Sequence, residues 1–234
     1  MTRAFVVGAT GYTGQAVVRA LRAQGAETFA HIRPDSKALG DWTKTWSALG
    51  ATVDTTAWDQ SAMSARLALL KPDVVFSLLG TTKKREARDK AVGQDSGYEM
   101  VDYGLSIVAL RAAQAAGPHT RFVYLSSLGV SGSTTNTYLS VRWRVEEAVR
   151  ASGLTHIIGR PSFITGPDRS ESRPAEKVGA VVADGLLGVL AALGGRRLRD
   201  RYGSKTADTL GGALVRLALD PAARSGVYES EALL

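Results

Sequence analysis

Short apolar runs alternate along this chain with longer stretches in which apolar residues recur three and four positions apart. Residues 4–7, 28–32, 52–54, 74–79, 122–125 and 156–159 read as strands. Between them, residues 13–24, 42–49, 62–70, 98–116 and 138–151 read as helices; in the first, Ala16, Val17, Ala20 and Leu21 fall on one face. The strands are continuously rather than alternately apolar, the pattern of a parallel sheet covered by helices on both sides. Strand–helix alternation then predicts an α/β fold of the doubly wound, Rossmann type, with right-handed crossovers. A loop-rich stretch, RPSFITGPDRSESRP at 160–174, separates this regular pattern from the tail. The expected organisation is one domain over 1–234, with a core over about 1–160 and a small, mostly helical C-terminal lobe on the substrate side over about 161–234.

Composition narrows the chemistry. The 234 residues are 44% hydrophobic and 22% charged, as in an ordinary globular domain. With no cysteine, disulfides, thiolate metal sites and cysteine nucleophiles are excluded. His31, His119 and His156 are the only histidines and lie far apart, so no metal centre is expected. The net charge is +7. Its basic clusters, Lys83-Lys84-Arg85 and Arg196 to Arg201, lack interleaved aromatics, so they read as solvated surface and no nucleic-acid partner is expected. The start, MTRAFVVGATGYTG, passes directly into a strand and turn without signal-peptide regions, which makes cytoplasmic residence the expectation. The apolar stretch 178–193 is too short to span a membrane and carries Asp184 at its middle; it reads as a helix packed on a substrate pocket or in a homodimer contact rather than on a membrane surface.

The sharpest signal is the run Gly8-Ala9-Thr10-Gly11-Tyr12-Thr13-Gly14. By itself it is weak, since a chain of this glycine content yields about 0.3 such arrays by chance. Its place, after the first strand and opening the first helix, gives it meaning. Glycines there permit a tight turn and let backbone approach a pyrophosphate, while the helix start offers unpaired N–H groups to the anion. Gly8, Thr10, Gly11, Tyr12, Thr13 and Gly14 are therefore the expected cofactor cradle for a nicotinamide dinucleotide.

Cofactor preference is read after the second strand, where an acid would bond the ribose hydroxyls of NAD. Here Arg33 stands in that place, followed by Ser36 and Lys37. A guanidinium suits the 2′-phosphate of NADP, so NADP is expected over NAD, with Asp35 turned away after Pro34. Asp59 follows the third strand and reads either as an acceptor for the adenine amino group or as the cap of the next helix. Gly80, Thr81 and Thr82 put small residues where backbone must pass the cofactor.

Ser126-Ser127 ends the fifth strand, at the edge where open α/β sheets bind ligands. Tyr138 follows, with Arg142 one helical turn on. A Tyr–cation pair beside a serine hydroxyl suits carbonyl reduction: the cation favours the phenolate, the phenol protonates the developing alkoxide, and the serine orients the carbonyl. The motifs VVGATGYTG, SLLGTT, FVYLSSLGV, YLSVR and GRPSFITGP, spread over about 4–175, resemble the atypical and extended short-chain dehydrogenase/reductases. More narrowly, GTT, YLSVRWRVE and DRSESRP are similar to the Tat-interacting-protein oxidoreductase branch. The resemblance implies that Ser127 holds the position of the family's active-site Ser/Thr, Tyr138 that of its Tyr, and Arg142 that of its Lys. It also implies that backbone near Pro161, Ser162 and Phe163 lines the nicotinamide. Arg142 departs from the family's YxxxK, keeping the charge on a longer, differently aimed fork. Two functions follow as expectations: an NADPH-dependent reductase of a small carbonyl-type substrate, or a catalytically weak NADP(H)-binding regulator that docks a protein partner.

Overall fold

The computed structural model describes residues 1–81, 86, 87, 90, 91, 93, 97–165 and 203–234. Seven strands form one sheet: β1 (Arg3–Val7), β2 (Glu27–His31), β3 (Thr52–Asp54), β4 (Val74–Ser77), β5 (Arg121–Leu125), β6 (His156–Arg160) and β7 (Gly226–Glu229). Every neighbouring pair is parallel, in the order β3-β2-β1-β4-β5-β6-β7. Among the described residues the α-helices are α1 (Tyr12–Ala23), α2 (Leu39–Ala48), α3 (Gln60–Leu70), α4 (Leu105–Ala116), α5 (Thr137–Ala151) and α6 (Ala207–Leu219). The doubly wound α/β expectation holds.

Because side chains alternate across a strand, β1 feeds two cores. Ala4 and Val6 join Val17, Leu21, Trp46, Leu210 and Leu214 from α1, α2 and α6 on one face. Phe5 and Val7 join Met63, Leu67, Ala109, Leu110, Val145 and Val149 from α3, α4 and α5 on the other. The chain reverses its direction of travel across the sheet between β1 and β4. Crossovers therefore leave these two strand ends in opposite directions and open a crevice at their carboxyl edge.

Three details differ from the sequence expectation. The fourth strand stops at Ser77 as a regular strand, although Leu78 N–H still bonds Val7 O at 3.1 Å. The helix over 98–116 begins as a π-helical segment, Tyr98–Gly104, in which Val101 and Asp102 are buried. In the expected C-terminal lobe, α6 packs on α1 and β7 extends the sheet beside β6, so residues 207–229 complete the core; residues 166–202 lie outside the described residues. With them lie Arg169, Glu171, Arg173, the stretch 178–193 and the cluster at Arg196 to Arg201, as do Thr82 and the cluster at Lys83 to Arg85.

Candidate cofactor site

The turn after β1 is built by close approach. Gly8 sits in the left-handed region at φ 82°, and a Cβ there would lie 2.8 Å from Leu78 O. Gly11 N–H closes the turn on Gly8 O at 2.9 Å. Gly14, in the first turn of α1, is packed harder still: its Cβ would fall 2.0 Å from Gly8 O. Only a residue without a side chain lets the helix start dock there. No side chain caps α1 at Gly11, and its first turn contains no acid. The amides of Tyr12, Thr13 and Gly14 are thus left for an acceptor from outside, and the partial positive charge of the helix end favours an anion. This cradle fits a pyrophosphate.

A cavity of about 690 Å³ opens beside it. Gly8, Thr10 and Gly11 form one wall, a strip from His31 to Ser36 a second, and Leu78, Leu79, Gly80, Met100, Val101 and Leu105 a third. Arg33 lines the cavity as expected. So does Asp35, which instead of turning away lies 3.7 Å from the Arg33 guanidinium. Lys37 is exposed and outside the described wall. Of the two readings of Asp59, the helix cap is the one found: its carboxylate accepts Ala62 N–H at 2.9 Å, and Trp58 lines the cavity in its stead. Tyr12 lies at the other end, where its hydroxyl donates to Thr165 O at 3.3 Å, while Thr13 is buried.

His31, which the sequence reading left without a role, lines the same cavity, edge-on to Trp58 at 4.8 Å. Its Nε2 lies 2.7 Å from Thr56 O. Burial pushes the imidazole pKa down, against the opposing effects of that carbonyl and of Asp54, so the ring is neutral near pH 7.

The expected catalytic group sits beyond the β4 wall. Arg142 is buried. Its Nη2 reaches Asp102 Oδ1 at 2.8 Å and Leu79 O at 3.3 Å, while Nη1 donates to Leu125 O and, at 3.4 Å, to the Tyr124 hydroxyl. The Tyr138 ring lies 4.9 Å from the guanidinium carbon and 5.3 Å from the Tyr98 ring. Burial works against the Arg142 charge, but Tyr138, Tyr124 and Asp102 outweigh it, and the pKa is raised. Gly80 has no side chain because one would lie 3.0 Å from Arg142 Nη2, a reason distinct from passage of a cofactor. Ser127 is half-buried, its hydroxyl near Leu128 O at 3.4 Å; its neighbour Ser126 instead donates to buried Glu146 at 2.5 Å.

The segment after β6 is positioned by three contacts. Pro161 O accepts Leu128 N–H at 2.9 Å, Ser162 Oγ donates to Gly203 O at 2.5 Å, and Phe163 O accepts Lys205 N–H at 2.8 Å. The Phe163 side chain is 56% exposed. Neither Ser127, Tyr138 nor this segment belongs to the described wall of the cavity.

Two buried acids were missed from sequence. Asp102 accepts Thr81 N–H at 2.9 Å as well as Arg142. Glu146 receives Ser126, Arg150 and Arg160. Neither carries a local signal: the positions one turn from Asp102 include Glu99 and Ser106, and those one turn from Glu146 include Arg142 and Arg150.

A family model described as NAD(P)H-binding matches residues 8–185. Among curated proteins, the chain is 32% identical over 183 residues to the protein fmp52, mitochondrial, of Aspergillus fumigatus, covering 75% of this chain and 72% of that one. It is 29% identical over 224 residues to the protein of the same name from Emericella nidulans, covering 94% and 88%. Among solved structures, the Bordetella bronchiseptica enzyme WbmH in complex with NAD+ matches with a TM-score of 0.65 at 16% identity, over 98% of this chain and 75% of that one. The UDP-N-acetylglucosamine 4-epimerase from Bacillus cereus matches with a TM-score of 0.61 at 14% identity, over 97% and 77%. These two show a shared fold. The expected cytoplasmic residence is overturned: both fungal relatives, like one from Scheffersomyces stipitis, are named mitochondrial.

Proposed function

We propose a function from one premise, that this chain belongs to the NAD(P)H-binding family: it is an NADPH-dependent reductase of a small carbonyl-type substrate. The observation that carries the cofactor reading is the helix start at Gly11, uncapped and opening on the cavity that Arg33 also lines. The bound dinucleotide supplies a hydride; the chain supplies everything else. The amides of α1 hold the diphosphate, and Arg33 offers paired donors to a 2′-phosphate. The Tyr138 phenol delivers a proton to the carbonyl oxygen, Arg142 packs its guanidinium against that ring, and the Ser127 hydroxyl orients the carbonyl. The motifs around Thr81, Tyr138 and Arg169 support a place near the Tat-interacting-protein oxidoreductase branch.

One observation favours a second reading, a cofactor-binding regulator with little turnover. Arg142 already spends both of its terminal nitrogens on protein acceptors, whereas the family lysine is free to bond the nicotinamide ribose. Oxidation of NADPH against a panel of aldehydes and quinones separates the two. Turnover that falls at least about a hundredfold in Tyr138→Phe, with NADPH affinity within threefold, supports the reductase, since a general acid contributes about 10²–10⁴ in rate. Tight NADPH binding with no turnover on any member of the panel supports the regulator.

Arg33 sets the second expectation. Charge-assisted bonds to a phosphate contribute about 1.5–3 kcal/mol, about ten- to a hundredfold in affinity. Calorimetry should show the wild type preferring NADPH over NADH, and Arg33→Ala losing at least about tenfold for NADPH while NADH changes little. Equal affinities for both cofactors in both proteins would remove Arg33 from the role.

A further inference from the structure

Four segments that are distant in sequence meet around one buried ion pair. Asp102, on the π-helical segment, is fully enclosed. Its Oδ2 accepts the N–H of Thr81 at 2.9 Å, and its Oδ1 accepts Arg142 Nη2 at 2.8 Å. The same Nη2 donates to Leu79 O, so the short loop after β4 is gripped on both sides of Gly80 by one ion pair. Through Nη1, Arg142 also holds Leu125 O at the end of β5, immediately before the two serines. Its carbon lies against the Tyr138 ring. Asp102 is not among the residues that line the described cavity; it acts through Arg142 and Thr81.

We propose that Asp102 is a positioning residue: the Asp102–Arg142 pair is a clamp that fixes the β4 loop, the β5 end and Tyr138 relative to one another, and so shapes the site for the nicotinamide half of the dinucleotide. This rests on the cofactor reading above and deepens it. It also gives the departure from lysine a physical meaning. A lysine ammonium is a compact point charge on a flexible stem, whereas the planar guanidinium spans Asp102, Leu79 O and Leu125 O at once. The acid and the arginine belong together, because a guanidinium enclosed there without a counter-charge is strongly destabilising. The clamp lies away from the adenosine strip of Arg33 and Trp58, which neither Asp102 nor Arg142 contacts through any hydrogen bond or ion pair given among the described residues.

The test separates the two halves of the ligand. NADPH and 2′,5′-ADP, which carries the adenosine and its 2′-phosphate without the nicotinamide, are titrated calorimetrically into wild type and into Asp102→Asn. The asparagine keeps the size and an acceptor for Thr81 but removes the charge. The proposal expects NADPH affinity to fall at least about tenfold, the scale of one positioned charged hydrogen bond, while 2′,5′-ADP stays within threefold. If Asp102→Asn is not recovered folded, Asp102→Glu, which keeps the buried charge but displaces the carboxylate by one carbon, carries the same test, and the same selective loss is expected. Equal losses for both ligands mean a purely structural role and overturn the proposal, as does an unchanged NADPH affinity. A wild type that binds neither ligand overturns the dinucleotide reading itself, which is a different outcome from a wild type that binds both and a variant that does the same.

Discussion

Gly14→Ala is expected to weaken dinucleotide binding strongly. The added carbon would lie 2.0 Å from Gly8 O, 2.8 Å from Gly8 C and 3.0 Å from Ala9 Cα, all backbone atoms that cannot rotate aside. Relief requires α1 to lift from the turn, and lifting it carries away the amides that would hold the diphosphate. Overpacking of this kind costs about 1–3 kcal/mol, occasionally more, and here it falls directly on the binding geometry. Calorimetry should find NADPH binding weakened about five- to 150-fold, with a lower melting temperature. Gly11→Ala is the matched comparison, because its carbon would meet the same oxygen at 3.2 Å and needs only a small adjustment. A Gly14→Ala protein that binds NADPH within threefold of wild type would disprove the cradle.

The second large effect belongs to stability. Arg142→Met removes the partner of an enclosed carboxylate and should destabilise the fold by about 3–5 kcal/mol in urea denaturation at pH 7. Burial already raises the Asp102 pKa above the ordinary carboxylate value, with Arg142 and the Thr81 N–H pulling it back. Without the guanidinium the folded-state value rises further, so the deficit present at neutral pH shrinks as pH falls and the carboxyl takes up its proton. Pairing the change with Asp102→Leu should return much of the lost stability at pH 7, because two apolar residues leave no buried charge to compensate. A deficit in Arg142→Met that does not vary with pH would show that Asp102 is not the group responsible.

The first six strands, the glycine turn and the place of Arg33 after β2 were legible because each is a local pattern: a run of apolar residues, a spacing of three, a residue directly after a strand. Asp35 was misjudged for a reason of the same scale, since the chain after Pro34 keeps its carboxylate near Arg33 rather than directing it away. Asp59 offered two local chemistries, and the helix that follows took the carboxylate as its cap. Asp102 and Arg142 are forty residues apart, and nothing in either neighbourhood announces the other. The same holds for Glu146, whose partners include Arg160 on another element. Within the tail, β7 was missed because GVYE is short and half-buried, with little of the apolar density that marked the inner strands.

That last strand has a consequence for biosynthesis. Ile157, Ile158 and Gly159 of β6 are buried, and β7 is what covers their outer backbone. Some sixty-five residues of chain must follow β6 before its neighbour is made. Throughout that interval a nascent chain presents β6 as a bare, apolar edge with unpaired amides and carbonyls, the kind of border that invites another strand. The time of greatest exposure to aggregation therefore falls late in translation, after six of the seven strands have emerged.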